Sequence, residues 1–180
     1  MNRTLLRYDS FHQVSASSGL WVIVLTDEER KKAISVVCDE DIATQLKLRF
    51  NVPEISKILL PEALVKMLPS TYEMLIIGVY DGQYQVMLMD MQNGESVRLR
   101  ISDAILLSII SEIPLYIEDG LMNRQSYSCE EYTKGVAIPI NTMALDYLKE
   151  ALDNAVAEEN YELASHIRDE INQRLNNKKE

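Results

Sequence analysis

Three short hydrophobic segments and one helical pattern occupy the first fifty residues. Alternating or continuous apolar runs predict three strands, Thr4–Val14, Leu20–Thr26 and Ala33–Cys38. Ile42, Leu46 and Phe50 then recur at helical spacing, which predicts a helix over Asp39–Phe50. Acidic residues open this helix, where the helix dipole favours negative charge. A further short helix is predicted over Pro61–Leu68, because proline is tolerated in a first turn.

The centre of the chain predicts a three-stranded meander. Asp81-Gly82 and Asn93-Gly94 are strong hairpin-turn signals, and they separate three apolar segments, Met74–Tyr80, Tyr84–Met91 and Glu95–Ile101. If each loop has two residues, Leu88 lies opposite Leu99. One face of the meander then carries a mixture of methionine and arginine: Met87, Met89, Arg98 and Arg100. Such a face suits a subunit interface or the floor of a groove, or else the arginines cover the methionines on an ordinary exposed face.

A nearly wholly apolar helix follows the meander. Ser102–Ser111 has apolar residues on almost every side, so we expect it to be buried on several sides at the centre of a domain. A strand, Pro114–Glu118, comes next. The pattern predicts an α+β fold with a mixed or antiparallel sheet and packed helices, ending near residue 122.

The last forty residues predict an antiparallel pair of helices. Apolar stripes run through Leu145–Val156 and through Leu163–Leu175, and Glu159-Asn160 interrupts them. A helix pair of this size cannot bury a core alone, so we expect it to dock on the domain or on a partner. We therefore predict a domain at residues 1–122, a linker at 123–140 and a helical hairpin at 141–176.

Charge and cysteine content narrow the classes of function. The formal net charge of −10 and the absence of a dense Lys/Arg cluster argue against a tight, sequence-independent nucleic-acid binder. They do not argue against an enzyme that contacts only a few phosphates. Cys38 and Cys129 match no metal-ligand spacing, so we expect free thiols in a reducing cytoplasm. No apolar run reaches membrane-spanning length, and we expect no membrane partner.

The helical hairpin resembles the UVR motif of the excision-repair proteins UvrB and UvrC. The resemblance rests on Asn160-Tyr161-Glu162-Leu163-Ala164 followed by Ile167-Arg168-Asp169-Glu170-Ile171. It implies a module for protein–protein interaction. We expect partner contacts at Tyr161, Leu163, Ile167 and Arg168.

The residues that open the apolar helix resemble the bifunctional nuclease family. The resemblance rests on Arg100-Ile101-Ser102-Asp103-Ala104-Ile105 and on Ile113-Pro114-Leu115-Tyr116-Ile117. It extends more weakly over residues 3–122. It implies a wedge-shaped α+β domain, a homodimer, and a groove that cleaves DNA and RNA. The chain departs from the family at several places. The family's proline and glycine before the first helix are replaced at Ser35 and near Asp39, and the motif proline is replaced by Ile101. A glutamate entering the first helix is replaced by Ile42 or a shifted Asp41, and a mid-domain histidine is missing.

Two hypotheses follow from these resemblances. In the first, the protein is a nuclease that uses Mg²⁺ or Mn²⁺. Asp39, Asp41 and Asp103 would be its metal ligands or general base, and Arg98 and Arg100 its phosphate-binding residues. In the second, the site has decayed and the protein is a non-enzymatic dimeric scaffold that recruits a partner through the UVR hairpin. The aspartates also fit a plain role as acids in the first turns of helices.

Overall fold

The computed structural model describes residues 2–13, 20–68, 71–129 and 140–177. The chain divides into two compact units. The first comprises Met1–Gly78 and Tyr84–Ala137, and the second comprises Val79–Gln83 and Ile138–Glu180. The predicted linker, 123–140, falls largely on residues 130–139, which lie outside the described residues.

A mixed sheet forms the framework of the fold, and it confirms the predicted α+β class. Within the described residues it has eight strands in the order β6-β5-β4-β7-β1-β2-β3-β8. β4 and β7 are parallel, whereas β1 pairs antiparallel with both β7 and β2. The strands are β1 (Arg3–Gln13), β2 (Trp21–Thr26), β3 (Lys32–Cys38), β4 (Tyr72–Tyr80), β5 (Gln83–Asp90), β6 (Ser96–Arg100), β7 (Leu115–Glu118) and β8 (Tyr127–Ser128).

Seven α-helices and one 3₁₀ turn complete the described residues. They are α1 (Glu40–Asn51), α2 (Pro53–Ser56), α3 (Leu60–Val65), α4 (Ile101–Ile110), α5 (Asp119–Gln125), the 3₁₀ turn (Ile140–Thr142), α6 (Leu145–Ala157) and α7 (Tyr161–Asn177). No helix among them is long and apolar enough to cross a membrane.

The core of the first unit is centred on β2, in which every residue is buried. β2 lies between β1 and β3, and its continuous apolar run is typical of a strand covered on both faces. Fully buried side chains from several other elements join it: Ile34, Leu46, Met74, Ile76, Ile105, Leu115, Ile117 and Met122. The strands predicted from the first forty residues are therefore confirmed to within a few positions.

The turn between β4 and β5 has two residues, as predicted. Asp81 and Gly82 both have positive φ, 48° and 78°. Positive φ at both central positions is the geometry of a type I′ turn, which matches the right-handed twist of the flanking strands.

The register predicted for β5 and β6 is wrong by two residues. Leu88 lies opposite Val97 instead of Leu99, and Val86 lies opposite Leu99. Asp90 is the physical reason, because it closes a longer loop: its N–H donates to the carbonyl oxygen of Glu95 at 2.8 Å, and its carbonyl accepts from Gly94 N–H at 2.9 Å. A shift of two residues leaves each side chain on its original face, so Met87 and Arg98 still share a face.

The helix α4 is buried less than its sequence predicts. Ala104 and Ile105 are fully buried, but the apolar residues from Leu106 to Ile110 remain partly exposed. The prediction of burial on several sides is thus confirmed only in part: no residue of α4 is exposed, and the helix packs on the sheet and on α3. The half-buried apolar side chains from Leu106 to Ile110 leave the outward side of α4 only partly covered.

The helix α5 was not predicted from the sequence, and it spans the end of the predicted domain and the start of the predicted linker. Seven residues are too few for a clear helical period, and Gly120 weakens the pattern further. Tertiary contacts hold the helix: Leu121 and Met122 are buried, and Thr4 Oγ1 donates to Asp119 Oδ1 at 2.8 Å.

Candidate functional site

The second unit contains the predicted helical hairpin. α6 ends at Ala157 and α7 begins at Tyr161, with Glu159 in the left-handed region at φ 59°. Asn160 closes the turn: its N–H donates to the carbonyl oxygen of Ala155 at 2.8 Å, and its Oδ1 accepts from Leu163 N–H at 3.3 Å. The side chain therefore caps the start of α7.

The facing sides of the two helices form a small core of their own. Its buried members are Leu148, Ala155, Ala164, Ile167 and Ile171. Two of these members, Ala155 and Ala164, have small side chains. The predicted apolar stripes are confirmed in part as the contact between the helices, because Val156, Leu163 and Leu175 at their ends are exposed.

A buried arginine fastens the 3₁₀ turn to α7. Arg174 Nε donates to Glu170 Oε1 at 2.7 Å, and its Nη1 and Nη2 donate to the carbonyl oxygens of Met143 and Ile140 at 2.6 and 3.3 Å. The sequence analysis missed this residue. The acid four positions earlier on the same helix face is the signal that could have indicated an ion pair.

An open groove runs along the outer surface of the hairpin, which we call the hairpin groove. Its volume is about 590 Å³, and it is lined by Leu152, Asp153, Val156, Tyr161, Ala164, Ser165 and Arg168. Tyr161 is 66% exposed and half of Val156 is exposed. The groove thus offers an apolar floor with a tyrosine at one end and a charged residue on each helix.

The four expected partner-contact residues occupy different places on the hairpin. Tyr161 and Arg168 line the hairpin groove, and Leu163 is exposed outside it. Ile167 is 2% exposed and packs in the hairpin core. Arg168 is positioned by its own helix, since Nη2 donates to Ser165 Oγ at 3.3 Å.

The expected nuclease residues Arg100 and Asp103 form an ion pair at the start of α4. Arg100 Nε donates to Asp103 Oδ2 at 2.7 Å, and Nη2 donates to Oδ1 at 3.0 Å. The hydrogen bond and the charge of Asp103 raise the pKa of the Arg100 guanidinium above its ordinary value, and the negative charge of Asp39 adds to the effect. The structure therefore brings Asp39 into the electrostatic neighbourhood of this pair.

The other expected nuclease residues are more dispersed. Asp39 Oδ1 accepts the N–H of Ile42 at 3.0 Å and so caps α1, while Asp41 is exposed in the first turn. Arg98 is exposed, and its side chain has no ion pair within the described residues. Those residues also contain no group of three or more His, Cys, Asp or Glu side chains placed to hold a metal ion.

The two cysteines are free thiols, as predicted. Burial and the charge of Asp39 raise the pKa of Cys38 to about 12, so this thiol stays protonated near neutral pH. A protonated, buried thiol is a poor nucleophile.

The sequence analysis also missed an apolar groove on the first unit, which we call the α3–α4 groove. It encloses about 310 Å³, and it is lined by Leu60, Pro61, Leu64, Val65, Leu68, Leu99, Asp103, Leu106, Leu107 and Ile110. Leu60 is 70% exposed and Leu64 is 51% exposed. Because α3 has only six residues, its apolar face was not apparent as a periodic pattern.

Comparison with known families bears on the hairpin. No curated protein matches the chain. No family match supports the resemblance of residues 1–122 to the bifunctional nucleases. The family model that does match is the UvrB/uvrC motif, over residues 145–173, so the α6–α7 hairpin carries a UVR motif.

Proposed function

We propose that the protein is an adaptor that binds a protein partner through its UVR hairpin. UVR motifs mediate protein–protein or DNA interaction. The observation that supports this proposal is the hairpin groove, where the apolar side chains Val156 and Tyr161 are exposed on a helix pair with its own closed core. Exposed aromatic residues in a groove are typical anchors of protein interfaces.

The charge of the hairpin favours a protein over DNA as its partner. Residues 145–176 contain eight Asp or Glu side chains against three Lys or Arg side chains. Of the three bases, Arg174 is buried against Glu170 and Lys149 lies 3.6 Å from Asp146. DNA binding draws most of its affinity from cationic side chains that neutralise phosphates, so this surface would repel a DNA backbone.

A binding measurement with matched variants tests the adaptor proposal. The full chain is immobilised and cross-linked in a cell extract, and candidate partners are identified by mass spectrometry. Each candidate is then purified, and its binding to the chain is measured by calorimetry. We expect Tyr161→Ser with Val156→Ser to weaken the Kd by at least about tenfold, since buried aromatic anchors often contribute 2 kcal/mol or more. Leu175→Ser is the control, because Leu175 is exposed on α7 but does not line the hairpin groove.

Two outcomes would contradict the proposal. One is a Kd that the paired groove substitutions leave unchanged. The other is a Kd that Leu175→Ser weakens as much as the groove substitutions do. Circular dichroism of each variant establishes that the hairpin is still folded.

We further propose that the protein is a homodimer joined through the α3–α4 groove. The exposed leucines of α3 and the outward side of α4 form one apolar surface in the first unit. A contiguous apolar patch of this kind is typical of a protein interface. A twofold axis would let each copy place its leucines in the groove of the other.

Nuclease activity is a second candidate function, and it rests on the start of α4. The negative charge of Asp39 contributes to the raised pKa of Arg100. Arg98 is exposed and lies on β6, the strand that ends at Arg100. These groups could bind a phosphodiester and move a proton. The ion pair uses two of the five N–H donors of Arg100 and offsets its charge, and no family match supports a nuclease, so the adaptor proposal is the better supported one.

A further inference from the structure

The helix α3 is too short and too exposed to be stable on its own. It has six residues, and none of them is fully buried. Its N-cap position is Leu59, whose side chain cannot accept a capping hydrogen bond. Isolated helices below about 12 residues are marginal in water. Some other contact must therefore hold α3 in place.

One such contact is a buried ion pair between α1 and α3. The Arg49 side chain is 4% exposed and that of Glu62 is 11% exposed. Arg49 Nη2 donates to Glu62 Oε2 at 2.9 Å. Arg49 Nε lies 2.7 Å from Glu62 Oε1, but the two buried atoms are not aligned as a hydrogen bond. The two groups therefore attract each other as buried opposite charges, but only one of the two possible hydrogen bonds between them is formed.

The guanidinium is fixed on the α1 side. Arg49 Nη1 donates to the carbonyl oxygen of Gln45 at 3.1 Å and to Gln45 Oε1 at 2.8 Å. Glu62 is therefore the side chain that joins α3 to an already positioned cation. Removing one partner of a buried pair leaves the other charge uncompensated, which strongly destabilises the contact.

The position of α3 determines which surface the Arg49–Glu62 ion pair keeps covered. Leu60 and Leu64 of α3 form one wall of the α3–α4 groove, and Leu106 and Leu107 of α4 line it from the other side. α3 therefore covers part of the outward apolar side of α4. No residue of α3 belongs to the sheet core, so α3 can separate without opening that core.

We propose that α3 is a flap over α4, held closed by the Arg49–Glu62 ion pair instead of by apolar burial. Loss of the pair opens the flap and exposes the outward side of α4, while the sheet stays folded. Elements with few buried contacts open locally at low free energy, which is the behaviour expected of such a device. The proposal does not depend on the function of the UVR hairpin.

Amide hydrogen exchange of the full chain, followed by mass spectrometry, tests the flap. Glu62→Gln keeps the size of the side chain and removes its charge. We expect exchange in residues 60–68 to accelerate by at least about tenfold, with an increase in binding of an apolar fluorescent dye, and with exchange of β1, β2 and β3 unchanged. Glu54→Gln is the matched control, because Glu54 forms an exposed pair with Lys57 at 2.8 Å.

A second variant distinguishes the ion pair from apolar packing. Leu60→Ala removes a side chain of α3 that is 70% exposed in the single chain, so in the monomer fraction we expect its exchange to stay within about twofold of wild type. Three results would overturn the proposal: unchanged exchange in Glu62→Gln, equal acceleration in Glu54→Gln, or acceleration in Leu60→Ala as large as in Glu62→Gln. Faster exchange throughout β1–β3 in Glu62→Gln would overturn it as well, because the flap would then not open independently.

Discussion

At the scale of single residues, the sequence indicated where some charged side chains lie but not what they contact. Arg100 and Asp103 stand out in the sequence because they open an apolar helix. The two residues lie three positions apart, and their ion pair depends on the conformations that both side chains adopt. The pattern of residue types does not determine those conformations. Arg49 and Glu62 were missed altogether, since a buried pair between two helices needs the tertiary fold to be recognised.

Substitutions of single residues test the proposed nuclease activity. Pure wild-type protein is incubated with single-stranded DNA or RNA and Mg²⁺ or Mn²⁺, and cleavage is compared with that of Asp103→Asn and Arg100→Ala. If the activity resides at α4, we expect either substitution to lower the rate by at least about 100-fold, as for a lost general acid or base. Folding should persist, because an exposed ion pair contributes only about 0.5 kcal/mol.

Asp146→Asn provides the control for this assay. Asp146 is an exposed aspartate that pairs with Lys149 on the hairpin and is not part of the candidate nuclease site. The absence of cleavage by the wild-type protein would end the nuclease hypothesis. Cleavage that survives both α4 substitutions would place the activity elsewhere in the chain.

At the scale of elements, periodicity and turn signals predicted the long elements, and three short ones, α2, α5 and β8, escaped the analysis. The stripes of α6 and α7 are long enough to show a helical period, and they do meet in the hairpin core. α5 has seven residues and β8 has two, and both form through tertiary contacts that local pattern does not report. The β5–β6 register was missed because hydrogen bonds of Asp90 lengthen the loop.

The packing of α6 against α7 gives a prediction for the hairpin. Ala155 is buried in the hairpin core and does not line the hairpin groove, so Ala155→Leu forces extra methylene groups into a packed contact. We expect a loss of about 1–3 kcal/mol in the stability of the hairpin. Amide exchange of residues 145–176 measures it. Ala157→Leu is the control, because Ala157 is exposed, and an equal loss in that variant would contradict the packing argument.

At the scale of the whole molecule, the sequence predicted the α+β class and the UVR hairpin but not the surfaces left open. A sequence pattern reports how apolar a helix is, and it does not report what covers it. α4 is apolar nearly all round, yet the chain buries Ala104 and Ile105 and leaves the residues after them partly exposed. α3 covers part of these residues, and the rest is open to the solvent or to a second chain.

Oligomeric state tests the homodimer proposal. We expect wild-type protein to sediment at twice the mass of one chain, and Leu64→Glu to shift it to the monomer, because a charge in an apolar interface is costly to desolvate. Met67→Glu is the control: Met67 is 80% exposed and does not line the α3–α4 groove. A monomeric wild type, or dissociation by both substitutions alike, would contradict the proposal.

The pairing of β1 with β7 has a consequence for the order of folding. Arg3 lies opposite Glu118 and Leu6 lies opposite Leu115, so the N-terminal strand is joined in the sheet to a segment more than a hundred residues away. Contacts this distant in sequence form slowly, because a long chain loop must close first. During synthesis, β1 can pair with β2 early, but its other edge must wait for β7 to leave the ribosome. α6 and α7, in contrast, are neighbours in the sequence, so their contact can form as soon as both helices have left the ribosome.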